Sequence, residues 1–233
     1  MKAVLLAAGL GTRMGEITRT RPKCLLPVAG RPLLGRWLEQ LARAGVAEVL
    51  VNTHHLAAQV REYLAGERPP LRVELAHEPE LLGSAGTLAE NRAFLAGERC
   101  FLVVYADNAS TVDLRELVAA HVPEAAATLG LFRVPDPERR GIVELAADGV
   151  VTGFVEKPAH PRGDLAWAGL LVGAPALLDA IPAGRPCDLG HDVLPRLLGR
   201  MRGVAVRGYH ADIGTPEAYA ATCADFERME SAA

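Results

Sequence analysis

Ala3-Val4-Leu5-Leu6-Ala7-Ala8-Gly9-Leu10-Gly11-Thr12-Arg13-Met14 is the stretch that decides the architecture of this chain. Residues 3–6 are uniformly apolar and predict a buried strand. Small residues and glycines follow, where backbone N–H groups can come close to a ligand, and Arg13 adds a cation. Pro22, Pro27 and Pro32 then keep the chain irregular for roughly two dozen residues, which marks a functional loop.

Beyond Pro32 the apolar residues Leu33, Leu34, Trp37, Leu38 and Leu41 share one helical face, with Arg36, Glu39, Gln40 and Arg43 opposite and Gly45 as a stop. Residues 49–51 then predict a strand, 56–64 a helix, 71–75 a strand, 86–95 a helix and 101–105 a strand. Such alternation predicts a mostly parallel sheet with helices on both faces and ligands at the carboxyl ends of the strands. The first loop and Asp107 both fall at such ends. Further on, strands are expected at 127–134, 142–145 and 150–155, the last two joined by an Asp148-Gly149 hairpin turn. Helices are expected at 189–198 and 215–229, the second with Thr215 as N-cap and Pro216 at its first position.

A chain of 233 residues, half of them hydrophobic, can bury one large core, so a single domain over 1–233 is expected. The net charge of -3 gives no general affinity for nucleic acid or for an anionic membrane. Cys24, Cys100, Cys187 and Cys223 lie far apart without CxxC spacing, which predicts reduced and mostly buried thiols. The apolar opening is too short for a signal peptide or a membrane span, and a cytoplasmic protein is expected.

Gly9, Gly11 and Gly15 could also be read as a dinucleotide-binding turn. That motif needs a helix opening at the glycines and an acidic residue ending the next strand, whereas here prolines intervene and the strand ends in Asn52. No Walker Gly-Lys-Ser/Thr, zinc spacing or Gly-x-Ser-x-Gly elbow is present. The histidines therefore read as surface or hydrogen-bonded structural residues. A tight turn with two surface cations is the plain alternative for the first loop.

The order of motifs along the chain carries more. The glycine loop is followed by Arg21-Pro22-Lys23 and Pro27-Val28, then by Val51-Asn52-Thr53-His54-His55-Leu56, Leu82-Gly83-Ser84-Ala85-Gly86-Thr87 and Ala106-Asp107-Asn108. Phe154-Val155-Glu156-Lys157-Pro158 and Asp212-Ile213-Gly214-Thr215-Pro216 complete the series. Together these resemble the sugar nucleotidyltransferase family across nearly the whole chain. One departure is Gly15-Glu16, where the family often has a proline and a hydrophobic residue.

The resemblance implies a Rossmann-like α/β nucleotidyltransferase fold, with a nucleotide-binding part over about 1–110 and an acceptor-binding part over about 111–233. It implies an enzyme that couples a nucleoside triphosphate to a sugar-1-phosphate-like or cyclitol phosphate acceptor and releases pyrophosphate. Leu6, Ala7, Ala8, Gly9, Gly11, Thr12, Arg13, Gly83, Ser84 and Gly86 would bind the nucleotide, and Arg13 and Lys23 would act on its phosphates. Asp107 and Asp212 would hold Mg²⁺. Asn108, Gly141, Glu156, Lys157, Trp167 and Gly169 would meet the acceptor, and a homodimer is compatible with the family. Asp192-Val193-Leu194-Pro195 resembles the guanylyltransferase branch and implies GTP. A cytidylyltransferase for a non-sugar phosphate and a non-catalytic subunit with the same fold are the alternatives. Trp167 stands where relatives carry a hydroxyl-binding Asn, so it either covers a less polar acceptor ring or points into the core.

Overall fold

The computed structural model describes residues 1–184 and 186–232. In chain order the first half runs β1 (Lys2–Leu6), α1 (Glu16–Arg19), β2 (Pro27–Val28), β3 (Arg31–Pro32), α2 (Leu33–Arg43), β4 (Glu48–Thr53), α3 (Ala57–Gly66), β5 (Arg72–His77), α4 (Ser84–Glu90) and β6 (Phe101–Tyr105). Then come β7 (Asn108–Ser110), α5 (Leu114–Ala119), β8 (Ala127–Arg133), β9 (Gly141–Leu145), β10 (Val151–Glu156), β11 (Leu165–Gly173), α6 (Pro175–Asp179), β12 (Met201–Ala205), β13 (His210–Asp212) and α7 (Pro216–Ser231).

The principal sheet has the order β10-β9-β11-β6-β1-β4-β5, and β8 pairs with both β11 and β12. Strands β6, β1, β4 and β5 are mutually parallel, so their carboxyl ends open on one edge. Strand β11 runs antiparallel to β6, β8 and β9 and joins the parallel half to the antiparallel half. The register of β11 against β8 shifts between Trp167 and Leu171, where Gly169 takes a φ of 68°. A Cβ at Gly169 would meet Asn108 Nδ2 at 3.0 Å and Tyr105 Cβ at 3.1 Å, so glycine permits both the bulge and the close approach.

Helix α2 forms as its periodicity predicts, with its five apolar residues buried, but Gln40 is buried as well. The reason is polar: Gln40 Nε2 donates to Ser110 O at 2.8 Å and Trp37 Nε1 to Asn108 O at 2.8 Å. Those two bonds pin β7 from beneath. The expected helix at 86–95 is shorter, Ser84–Glu90, because Asn91 Nδ2 donates to Thr87 O and caps the last turn. The segment expected as one helix at 189–198 is a π turn over Leu189–Val193 and a 3₁₀ turn over Leu194–Leu197. Pro195 supplies no N–H there, and Asp188 caps the first turn by accepting from Gly190 N and His191 N.

The hairpin between β9 and β10 forms, with Gly149 at a φ of 83°. Helix α7 begins as expected, Thr215 Oγ1 accepting from Ala218 N at 3.2 Å. The four thiols are free, but only Cys24 and Cys187 are buried, and burial pushes Cys24 up to about 12. Among the described residues no helix is long and apolar enough to cross a membrane.

Candidate active site

Two cavities open where the parallel strands end. The first, of about 390 Å³, is lined by the loop after β1, by Asn52 near the end of β4, by Glu78 just after β5, and by Gly83, Ser84 and Thr87 in the first part of α4 and just before it. The second, of about 900 Å³, is walled by β9, β10, β11 and β13. Arg13, Tyr105, Asp107, Asp188 and Gly214 belong to both.

The glycine loop is shaped by two contacts. Gly11 adopts a φ of 66° and a Cβ there would meet Thr18 Cγ2 at 2.9 Å, while Thr18 Oγ1 donates to Gly11 O at 2.8 Å. Asn52 Oδ1 accepts from Ala7 N at 2.6 Å and Ala8 N at 3.3 Å. The N–H groups of Ala7 and Ala8 thus have a partner within the chain, although both residues line the first cavity. Leu6, Ala7, Ala8, Gly9, Gly11 and Thr12 all line the first cavity, as do Gly83 and Ser84. Gly86 does not line it: α4 turns it toward Cys187, whose carbonyl accepts from both Ala85 N and Gly86 N at 3.0 Å.

Glu78 was not legible as a site residue. Its carboxylate is buried, Oε1 accepting from Asn52 Nδ2 at 2.8 Å and Thr87 Oγ1 at 2.5 Å, and Oε2 from Leu82 N at 3.2 Å. No spacing pattern announces it. It reaches the cavity because Glu78 N continues the β4–β5 pairing onto Thr53 O at 2.8 Å.

Asp107 and Asp212, 105 residues apart in sequence, are joined by the β7–β13 ladder, which pairs Asn108 with Asp212. Ile213 N adds a bond to Asp107 O at 3.1 Å. Between the two carboxylates stands Lys23, its Nζ 2.8 Å from Asp107 Oδ2 and 3.2 Å from Asp212 Oδ1, with only 8% of its side chain exposed. Asp212 Oδ2 faces Arg140 at 3.5 Å and Arg13 at 3.8 Å. The acid pair is thereby neutralised by cations of the chain. Two carboxylates suit Mg²⁺, which takes one or two from protein and completes its shell with water and substrate phosphates. Among the described residues no group of three or more His, Cys, Asp or Glu forms a fuller cage.

In the second cavity Glu156 is wedged between two glycines: a Cβ at Gly141 or at Gly190 would meet its Oε2 at 2.7 or 2.6 Å. Burial raises the Glu156 carboxyl above its ordinary value, and Lys157 opposes that rise. Lys157 itself is 62% exposed and held at a φ of 48°, its Nζ 3.7 Å from Glu156 Oε1. Asn108 lines this cavity, but its amide points at backbone, with Tyr105 O and Ala168 O each 3.4 Å away.

Trp167 packs into the core and also borders the cavity. It is buried edge-on against Tyr105, centroids 5.3 Å apart, and against Phe154, yet it forms part of the cavity wall. Its Nε1 donates to Leu170 O at 3.0 Å, so its single donor is spent on backbone. His210 was expected as a plain structural residue and is not fully accounted for by hydrogen bonds. It lines the same wall with its Nδ1 sealed and unpartnered, and burial lowers it to about 4.

These features agree with what the chain is similar to. Residues 2–228 match the family described as nucleotidyl transferase. The chain is 37% identical over 226 residues to glucose-1-phosphate thymidylyltransferase of Streptomyces griseus, covering 92% of this chain and 62% of that protein. It is 34% identical over 232 residues to mannose-1-phosphate guanylyltransferase of Mycobacterium tuberculosis, covering 97% and 64%. The crystal structure of HddC from Yersinia pseudotuberculosis superposes with a TM-score of 0.82 at 25% identity, covering 97% of this chain and 99% of that one. The chain belongs to the nucleotidyl transferase family. It spans a little over three-fifths of the length of these curated relatives.

Proposed function

We propose that this chain transfers a nucleotidyl group from a nucleoside triphosphate to a sugar-1-phosphate or cyclitol phosphate, giving a nucleotide-activated product and pyrophosphate. The observation that carries this reading is the junction of the two cavities. Arg13, Asp107 and Gly214 sit on the shared wall, with Lys23 lining the first cavity and Asp212 the second. A triphosphate in the first cavity and a phosphate ester in the second would present their reacting groups to each other there.

No nucleophile from the chain is required. An acceptor phosphate oxygen attacks the α-phosphorus in line, and the reaction depends on positioning and on charge stabilisation. Arg13 and Lys23 would take the triphosphate and the departing pyrophosphate, Lys23 exchanging its carboxylate partners for phosphate oxygens. Asp107 and Asp212, freed of Lys23, would hold Mg²⁺. When bound there, the metal would neutralise phosphate charge and polarise the reacting phosphorus. Lys157 would bind the acceptor phosphate, and Glu156 would accept from its hydroxyls.

Glu78 favours GTP. A carboxylate accepts hydrogen bonds and does not donate them. The guanine edge offers two neighbouring donors, N1–H and N2–H₂, and Glu78 lines the first cavity with Oε2 accepting one bond, from Leu82 N. Thymine and uracil offer one donor between two carbonyls, which a carboxylate would repel. The name of the Mycobacterium tuberculosis relative agrees with a guanylyl group, and that of the Streptomyces griseus relative makes dTTP the rival.

Trp167 and Phe132 give the acceptor side an apolar wall, and Trp167 has no donor left to offer. An acceptor lacking the hydroxyl that usually meets an Asn side chain suits that wall, such as a deoxy sugar or an unsaturated cyclitol phosphate. The test is pyrophosphate release from four nucleoside triphosphates against hexose, deoxyhexose and cyclitol phosphates. GTP-dependent release with the less hydroxylated acceptors is expected. A dTTP preference removes the guanylyl assignment, and no release from any pair removes the reaction itself.

A further inference from the structure

Arg140 has five N–H donors and poor use for them. Its Nη1 lies 3.5 Å from Asp212 Oδ2 and its Nη2 3.5 Å from Asp136 Oδ2, both at the limit of a hydrogen bond. Its Nε is sealed from solvent without a partner, and the side chain as a whole is only 25% exposed. A guanidinium placed this deep normally finds close bidentate partners, so this one lacks a ligand rather than a role.

Its placement says which ligand. The antiparallel β9–β10 ladder pairs Gly141 with Glu156, and the next bond carries Lys157 N to Arg140 O at 2.9 Å. Arg140 and Lys157 therefore leave adjacent strand ends side by side, and both line the second cavity. Neither has a close ionic partner, since Lys157 Nζ stands 3.7 Å from Glu156 Oε1. Two cations on paired backbone positions, weakly paired and lining one cavity, match a phosphate dianion in charge.

We infer that Arg140 is a specificity residue for the acceptor, binding its phosphate together with Lys157. This rests on the transfer reading above and adds the residue that selects a phosphate ester over a free sugar. The exchange leaves no carboxylate stranded. Without nucleotide Asp212 keeps Lys23 and Arg13 when Arg140 turns away, with nucleotide the Mg²⁺ of the transfer reading would take their place, and Asp136 is itself part-exposed to water.

The experiment measures binding and turnover separately. Wild type, Arg140→Met and Arg140→Lys are titrated calorimetrically with mannose-1-phosphate, a deoxyhexose-1-phosphate and inositol-1-phosphate, with mannose and the free deoxyhexose as phosphate-free controls. Steady-state constants for nucleotide and acceptor follow, and melting curves establish that each variant is folded. Loss of the guanidinium should weaken the preferred ester about ten- to a hundredfold, the ordinary cost of a charged hydrogen-bond pair. Mannose binding and the nucleotide KM should stay within about threefold of wild type, and Arg140→Lys should recover part of the loss. If Arg140→Met does not fold, Arg140→Gln is judged by the same readings. Unchanged ester binding, an equal loss on the nucleotide side, or a wild type that takes up none of the three esters overturns the assignment. Ester binding that follows Arg140 without pyrophosphate release from any triphosphate sinks the transfer reading and leaves Arg140 in place.

Discussion

The two cavities are built by opposite means. The first stands on parallel strand ends and short loops, its lining largely small residues and backbone, with Glu78 as a single buried carboxylate at its side. The second stands on antiparallel strands and is lined by long charged side chains, among them Glu156, Lys157, Arg139 and Arg140. Backbone fixes shape, and shape recognises what every substrate of a reaction class shares. Long side chains can be exchanged without moving a strand. Apart from Glu78 in the first, the second cavity is thus where one chain can more readily differ from its relatives.

The sharpest way to break this division is at the junction, which both halves need. Asp107→Asn and Asp212→Asn should each lower turnover at least about a hundredfold at saturating Mg²⁺ while the fold persists, because each removes a full negative charge beside Lys23. A folded variant with near-normal turnover would remove that aspartate from the metal site.

Next in size is a change confined to the first cavity. Glu78→Gln replaces two acceptors by one acceptor and one donor, the complement of the thymine and uracil edge. GTP use should fall by about tenfold or more in kcat/KM while dTTP and UTP gain, with the acceptor KM unmoved. If the base preference stays as in wild type, Glu78 serves only to hold Asn52 and Thr87.

A smaller effect is expected in the second cavity. Trp167→Asn should shift acceptor preference toward ordinary hexose phosphates by about three- to tenfold and leave nucleotide choice alone. Competition between paired acceptors measures the ratio directly, and an unaltered ratio would assign Trp167 to packing only.

Smallest is an effect on stability. Burial raises the Glu156 carboxyl in the folded chain, so the folded state binds that proton more tightly than the unfolded state. Its contribution to stability is present below the unfolded value and is lost as pH rises through the folded one. Glu156→Gln should therefore melt higher than wild type near pH 8, and the difference should fade as the solution is acidified toward the ordinary Glu range. Thermal melts across pH would refute this if the gap stayed constant.

How far the sequence could be read follows the same division. Strand β1, the glycine loop, α2 and the capped α7 each carry their signal in consecutive residues, and all four form where expected. Strand β11 escaped notice although it joins the two halves of the sheet. It is almost wholly buried, so it lacks alternation, and Gly169 interrupts its apolar run. Glu78 and Arg140 escaped for a related reason. Each owes its place to a neighbouring strand end, 25 residues back to Thr53 in one case and 17 residues on to Lys157 in the other, and no local motif records that pairing. Asp107 was legible as a residue at a strand end, but its partnership with Asp212 only through resemblance, since the β7–β13 ladder that unites them is three residues long.

The seam between α4 and Cys187 carries a consequence in time. Gly83 packs against the Cys187 backbone so tightly that any Cβ would collide with its carbonyl, and Ser84 Oγ donates to Asp188 at 2.7 Å. Cys187 N in turn donates to Leu82 O at 2.9 Å, and its carbonyl receives the first N–H groups of α4. During synthesis the glycine loop, the parallel strands and α4 all leave the ribosome about a hundred residues before this lock can close. A nascent chain halted short of residue 187 would possess the glycine loop, the parallel strands and α4, yet lack Asp188 and Gly214 and hold the mouth of the first cavity unfastened.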